Sequence, residues 1–524
     1  MSRKVTFLIA LLLAATSTAC GVFGGLSGDE AGTVAPGEPS GPPPEAAADE
    51  AGPAAELIPD NLSPYYEAMR AGFEGDVDAF AGGLRYWLDL ALEGGGVVGG
   101  SERARYHNAG EQALDEIVFR LYPNEIAGEP ILTVDSVAIG GQEAKWKLEQ
   151  LDSVLRITLD DPLPPGENVE IKLDWELALE DGEGYNYARL SYVDDILMLS
   201  SFVPLFSVYE DGEWWDGFAG PGFFGDPAYS ESALFDVTVT APDDLIIAAS
   251  GTTLDSTPQG DGTTAYHVVT GPMRDFALVA SPDFELLSEE QNGVTVNVWS
   301  LPENTVGDQS SLAITLAAVE VYDEQFGAYP FREMDVVEVA IIAAGIEYPG
   351  LIYIDTSLWQ PDTIYGEWVI AHETAHQWWY SLVGNDQVET PWMDEGLTEY
   401  SVLVYFRETQ GPLAEANARA WFEAEVESYL ARGGMALPLG LSVEEYVNSD
   451  AYGAFVYRDG ALFFDELSSQ YGRDEVIDYL QDYFARYRYG VAHLEDVRGL
   501  LVEHFGPEAG AMFDRRVLGS QADT

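Results

Sequence analysis

The apolar positions divide the chain into stretches of different period. Arg85 to Leu92, Arg103 to His107, Ala113 to Leu121, Ser153 to Leu159, Val169 to Leu177 and Phe235 to Thr240 alternate apolar with polar residues, with Gly, Pro and Asn between them. A period of two marks strands with one face buried. Between about Leu62 and Leu287 it predicts an antiparallel β domain, preceded by a helix at Tyr65 to Phe73. Beyond Val294 the pattern predicts a strand or two, a helix around Ser311 to Phe326, β-rich runs at Val336 to Ala343 and Leu351 to Asp355, and a helix from Gly366 to Leu382. From Thr398 onward apolar residues recur every three or four positions, which predicts helices at Leu413 to Leu430, Tyr457 to Tyr471, Asp474 to Tyr487 and Leu494 to Phe505. The fold class is therefore α+β and multidomain, strands first and helices last.

The amino-terminal end follows neither period. Ser2-Arg3-Lys4 is basic, Val5 to Ala15 is apolar, and small residues surround Cys20 in Ser17-Thr18-Ala19-Cys20-Gly21. The apolar run is shorter than the about 20 residues a spanning helix needs. Cys20 is the single cysteine, so no intramolecular disulfide can form. The segment resembles a bacterial lipoprotein signal peptide, with Ser17 where leucine is usual. The resemblance implies cleavage before Cys20, lipidation of its thiol, and a mature protein held on the outer side of a membrane; an ordinary signal peptide or an uncleaved anchor is the alternative. Residues 21–59 are rich in Gly, Pro, Ala and Glu and bury too little apolar area to fold, so they read as a tether.

Charge narrows the partners. Against 90 acidic residues stand 24 Lys plus Arg, a formal net charge of −66, and the lysines are Lys4, Lys145, Lys147 and Lys172 alone. Such a field repels nucleic acid and anionic lipid headgroups. Because the acids are spread along the whole chain, a saline habitat or solubility accounts for them more simply than a field that draws cationic peptides to a cleft.

The chemistry concentrates in His372-Glu373-Thr374-Ala375-His376. On a helix, residues four apart share a face, so two imidazoles can grip one metal ion with Glu373 beside it. Hydrolytic zinc needs a third protein ligand and an open position. After eighteen intervening residues, Trp392-Met393-Asp394-Glu395-Gly396 supplies a carboxylate at Glu395. Together these segments resemble the aminopeptidase N type of gluzincin, the zinc metallopeptidases that include leukotriene hydrolase. Ala344-Gly345-Ile346-Glu347-Tyr348-Pro349-Gly350 is similar to the family's exopeptidase segment, and Tyr457-Arg458-Asp459-Gly460-Ala461 to its tyrosine segment. The resemblance implies zinc held by His372, His376 and Glu395, and Glu373 as proton carrier. It implies too that Glu347 binds the substrate's free amino group and that Tyr457 holds the oxyanion. The chain departs from the family at Ile346 for methionine, Tyr348 for asparagine and Asp459 for lysine, and Tyr452 competes with Tyr457.

The expected organisation is a signal peptide at 1–20, a tether at 21–59, a β domain at 60–287 and a thermolysin-like catalytic domain at 288–524. The larger family members carry a further helical domain, so a more open site, or closure by a partner, is expected here. Gly94-Gly95-Gly96-Val97-Val98-Gly99 spells a nucleotide motif but lies between two strand-like runs, which makes it a hairpin turn. The aromatic stretch Trp214 to Tyr229 lines a cleft or fills an interdomain core. His107, His267, His493 and His504 lack ligand spacing and read as structural or solvated. The implied function is removal of amino-terminal residues from peptides; an endopeptidase, or a peptide-binding lipoprotein without turnover, is the alternative.

Overall fold

The alternating segments pair mainly into one eight-stranded sheet, in the order Thr252–Pro258, Thr263–Val269, Leu234–Pro242, Arg85–Gly94, Val97–His107, Asn168–Ala178, Leu132–Ile139 and Gln142–Glu143. In this computed structural model the described residues are 61–182, 184–217, 225–302, 305–360 and 363–519. They fall in one structural unit, Ala54–Thr524. Cys20 and the 21–59 tether lie outside them. No described helix is long and apolar enough to cross a membrane.

The sheet is not purely antiparallel, as the sequence had led us to expect. Arg85–Gly94 runs parallel to Leu234–Pro242, with Leu88 opposite Val237. A parallel neighbour needs a long crossover, and here the chain between the two strands supplies further sheets before it returns. Gly94, Gly95 and Gly96 make the hairpin between Arg85–Gly94 and Val97–His107 at φ of 84°, 62° and 81°. Side chains rarely adopt that left-handed conformation, which explains the glycine run without any nucleotide.

Leu114–Arg120 and Val154–Leu163 belong to one of three further sheets, and a second main sheet, of five strands, follows: Glu285–Gln291, Val294–Ser300, Glu333–Val339, Leu351–Asp355 and, at the edge, Gly345–Tyr348. Its first strand begins at Glu285, so the expected boundary at 287 falls inside an element. The opening segment also belongs here: Tyr65, Met69 and Val77 share a core with Phe331 and Trp378, and Arg70 donates to Asp323 at 2.6 Å. The expected helix at Tyr65 to Phe73 is instead two short turns, Ser63–Tyr66 and Glu74–Asp78, because the chain between them forms a bridge from Met69 to Phe331.

Helices Thr305–Gln325, Ile364–Ala375, Trp392–Gln410, Pro412–Ala431, Gly460–Tyr471, Arg473–Tyr487, Leu494–Phe505 and Pro507–Arg516 cover this sheet and each other. Helix Ile364–Ala375 is capped by the Thr363 hydroxyl, which accepts from the Gly366 amide, and it ends at His376 rather than at Leu382. There the His376 carbonyl accepts from the Ser381 amide at 3.0 Å and Tyr380 turns the chain at φ 107°. Such a conformation is costly for tyrosine and persists only when its surroundings hold it. Arg274, fully enclosed, does so: its guanidinium donates to the carbonyls of Ser381, Ser230 and Gly490 at 2.7–3.1 Å.

Asp335 sits in the middle strand of the second sheet, accepting from Asn297 at 2.8 Å. Burial, reinforced by Glu333, pushes its carboxyl up to about 8. An unfolded aspartate titrates near 3.9, so between about pH 4 and 8 the folded chain binds the extra proton and stability falls as pH rises. Asp335→Asn keeps an acceptor for Asn297 and removes that titration. It should raise the thermal midpoint above wild type near about pH 9 and by much less near about pH 5. Equal shifts at the two pH values would show that the charge on Asp335 is not what costs stability.

Candidate functional site

The metal-binding geometry forms where helices Ile364–Ala375 and Trp392–Gln410 meet. His372 Nε2 and His376 Nε2 lie 3.1 Å apart, and Glu395 Oε2 is 3.2 Å from the first and 3.3 Å from the second. A tetrahedral ion with bonds of about 2.0–2.1 Å sets its ligands about 3.3 Å apart, so this triangle fits zinc. All three side chains are buried. One outer nitrogen fixes its tautomer: His376 Nδ1 faces the Trp379 carbonyl at 3.1 Å and Asp394 Oδ1 at 2.6 Å, two acceptors that hold its proton there and leave the Nε2 lone pair for a metal. Behind His372 stands Glu399, 4.0 Å from Nδ1 and ion-paired with Arg458.

The electrostatics follow from burial. Burial works against charge on Glu395, yet hydrogen bonding to both imidazoles holds its carboxyl far below the usual range. Burial takes His372 down to about 4, against the pull of Glu395. For His376 burial is outweighed by Glu347 and Asp394, which raise it well above the ordinary histidine value. Glu373 is pushed up to about 8 by burial, opposed by His376 and reinforced by Glu395 and Asp226.

Glu347, Tyr457 and Tyr452 lie close by. Glu347, on the edge strand Gly345–Tyr348, offers a carboxylate oxygen that clusters within 4.8 Å with ligand atoms of His376 and Asp394. Its Oε1 has no hydrogen-bond partner among the described residues. Burial, then the charge of Asp226, raises its carboxyl well above the ordinary value. Tyr457 donates to Glu395 Oε1 and stacks on His372 with ring centres 5.8 Å apart. Tyr452 lines the same cavity, edge-on to Tyr457, with its hydroxyl against Gly225. Tyr348 carries none of this polar work: its ring packs on Tyr353, while its carbonyl accepts from Gln377 of the segment after the metal helix. Asp459 turns away and pairs with Arg516 at 2.8 Å. The four remaining histidines pair with Asn168, Asp236, Glu210 and Asp482, away from the cavity.

These groups line a cavity of about 270 Å³. Residues 310–515 match the Peptidase family M1 domain. The match and the relatives below mark the chain as similar to the aminopeptidase N-type M1 peptidases. It is 26% identical to Aminopeptidase N of Haemonchus contortus over 292 residues, 52% of this chain and 29% of that protein. Over 371 residues it is 23% identical to Aminopeptidase M1-B of Oryza sativa subsp. japonica, covering 68% of this chain and 41% of the relative. The chain thus spans less than half the length of these curated relatives. A solved M1 zinc metallopeptidase from Deinococcus radiodurans superposes with a TM-score of 0.64 at 20% identity, covering 85% of this chain and 95% of that one. A mutant of that protein bound to a Tyr-Ser-Ala substrate gives 0.63. At this identity the likeness is one of fold.

Around the M1 motifs the structure adds residues that the sequence reading missed. Arg189 and Asp226 form a buried ion pair on the cavity wall beside Glu347. The loop Trp214 to Tyr229 thereby reaches the cleft through Gly225 and Asp226, while Trp214 and Ala228 pack in the core; residues 218–224 lie outside the described residues. No spacing rule links Arg189 to a motif some 180 residues away. Three glycines were legible as motif letters, but their reason was not. A Cβ on Gly345 would lie 2.5 Å from the Glu373 carboxylate, so its absence leaves room for that side chain. Gly396 and Gly460 let two helices touch backbone to backbone: a Cβ on Gly396 would be 3.0 Å from Gly460 Cα. That contact brings Glu395 under Tyr457. The tyrosine itself lies in a π-helical stretch, Gly453–Asp459, so the regular helix begins at Gly460 and not at Tyr457 as its apolar period indicates. From that wider turn Tyr457 reaches Glu395.

Gly396→Ala must force two backbones apart, and neither can rotate away. Despite alanine's better helix propensity it should destabilise by about 1–2 kcal/mol and weaken zinc retention. Gly499→Ala, in a helix where nothing lies within 4 Å of the new methyl, should instead raise the thermal midpoint. Thermal unfolding and zinc analysis of both variants check this; a stabilised Gly396→Ala protein would contradict the close-contact argument.

Proposed function

We propose that this protein is a zinc-dependent aminopeptidase. The observation that carries the reading is Glu347: a buried carboxylate, one oxygen unsatisfied, in the same cavity as the metal cluster and on the strand that borders it. A free α-ammonium would satisfy that oxygen and favour the charged form of a carboxyl that burial otherwise keeps protonated, giving a charge-assisted hydrogen bond in a dry site. Gly345–Tyr348 is the outermost strand of its sheet, so an extended peptide can lie along it by strand addition. The peptide's first residue would then end at Glu347.

His372, His376 and Glu395 would hold the zinc, which supplies positive charge for water activation and carbonyl polarisation. The proton work falls to Glu373. Burial raises its carboxyl to about 8, and a bound cation would lower it toward neutrality, where it can take a proton and return it to the leaving amine. Gly345 keeps that side chain free of steric contact from the strand. Tyr457, whose hydroxyl lies at Glu395, is the donor for the oxyanion; burial and the charge of Glu395 keep the phenol protonated well above its ordinary range. Asp394 keeps His376 in one tautomer, and the Glu399–Arg458 pair backs His372.

We further infer that Cys20 is lipidated and anchors the mature protein outside the cytoplasm. Its support is the sequence alone: a basic start, a short apolar run and small residues before one cysteine.

The function is tested with zinc-loaded wild type, Glu373→Gln and Glu347→Ala on a free-amino peptide and its acetylated counterpart. Glu373→Gln should keep zinc and lose at least about 100-fold in rate. Glu347→Ala should keep zinc and lower kcat/KM on the free peptide by roughly ten- to hundred-fold, the scale of one charge-assisted bond, with little effect on the acetylated one. Equal cleavage of blocked and free peptides would replace the aminopeptidase reading with an endopeptidase. For the anchor, Cys20→Ser should abolish fatty-acid labelling; unchanged labelling would exclude Cys20 as the attachment site.

A further inference from the structure

A second cavity opens beside the first and shares two walls with it. Its volume is about 410 Å³, and Ile364, Tyr365, Trp368, Phe406, Ala414 and Trp421 line it; Tyr365 and Trp368 also line the metal cavity. No acidic residue lines it, in a chain with 90 of them. Its rim leaves large apolar side chains in water: Ile364 is 75% exposed, Tyr365 51% and Trp421 36%. Surface of that kind gains free energy when an apolar group covers it.

Helix Ile364–Ala375 gives the cleft a direction. Glu347 clusters with His376, at the carboxy-terminal end of the helix. Trp368 lies four residues before His372 and Tyr365 seven, about 6 Å and 10 Å along the axis toward the other end. A peptide whose amino group sits at Glu347 and whose first carbonyl sits over His372 and Glu373 therefore continues toward Trp368. An extended chain advances about 3.3 Å per residue, so the second and third residues beyond the scissile bond arrive at this opening.

We propose that the groove between helices Ile364–Ala375, Trp392–Gln410 and Pro412–Ala431 is a subsite for an apolar side chain two or three residues beyond the bond that is cut. The direction of the peptide rests on the aminopeptidase reading. The groove's size and lining suit a phenylalanine or leucine side chain, or two together. Trp421 forms its outer wall, stacked edge-on to Trp368 with ring centres 4.8 Å apart and carrying the Arg458 guanidinium 4.3 Å from its own. The subsite would make this protein prefer peptides with an apolar third or fourth residue, whatever residue is removed.

Binding separates the groove from turnover. With full-length zinc-loaded Glu373→Gln protein, calorimetry should give a Kd for Ala-Ala-Phe-Leu-amide at least about tenfold lower than for Ala-Ala-Ser-Ser-amide. In the same background Trp421→Ala and Ala414→Glu should each remove most of that difference; Ala414→Glu does so without touching the Arg458 contact. Alanine amide, which ends before the groove, should bind all three proteins alike. Equal affinity for the two tetrapeptides, or variants that weaken alanine amide as much as the apolar peptide, would overturn the proposal. Hydrolysis of alanine para-nitroanilide by protein with Glu373 intact tests the underlying reading apart from this one: its absence alongside the expected binding difference would retire the peptidase while the groove stands.

Discussion

Burial of negative charge in one place is the constraint on which the rest of the structure depends. Glu347, Glu373, Asp394, Glu395 and Glu399 are all enclosed around two imidazoles. Taking so many carboxylates out of water is unfavourable unless a cation joins them. Arg458 serves Glu399 and Arg189 serves Asp226, and neither reaches the triangle of His372, His376 and Glu395. A divalent ion held by that triangle would complete the balance and lower the raised carboxyl of Glu373. The site and its metal are thus one electrostatic unit.

Positions around that unit are set by close backbone contacts rather than by long side chains. Gly396 against Gly460 brings Glu395 and Tyr457 together, and Gly345 clears the space that Glu373 occupies. Arg274 ties the loop after the metal helix to Ser230 and Gly490. Because it is buried, its bonds to three carbonyls resist solvent competition and hold Tyr380 in its strained turn. The segments around Ser230 and Arg274 are therefore part of the site's scaffold.

The surface obeys a different rule. Most acids are exposed and spread along the chain, and the few arginines and lysines are largely engaged in local pairs such as Arg486 with Asp482 and Glu503. Such exposed pairs contribute little stability and weaken with salt. No acid lines the groove beside the metal cavity, which sets that surface apart from the rest.

Local information was enough for the parts that local physics decides. The period of two announced the strands from Arg85 to Thr240, the period near four announced Leu494–Phe505 to the residue, and helical spacing alone placed His372 and His376 on one face. The departures at Tyr348 and Asp459 were visible as letters, but only packing explains them: one side chain is held by Tyr353 and the other by Arg516, outside the chemistry. The parallel pairing of Arg85–Gly94 with Leu234–Pro242, the Arg189–Asp226 pair, the π-helical turn at Tyr457 and the end of the metal helix at His376 could not be read from periodicity. Each is decided by residues far apart in sequence, whose meeting depends on which backbones can approach and which buried charges must be compensated. The sequence by itself determined the element types and the motif letters; the tertiary structure decided how those letters converge, because proximity in a folded chain is a property of packing and not of spacing.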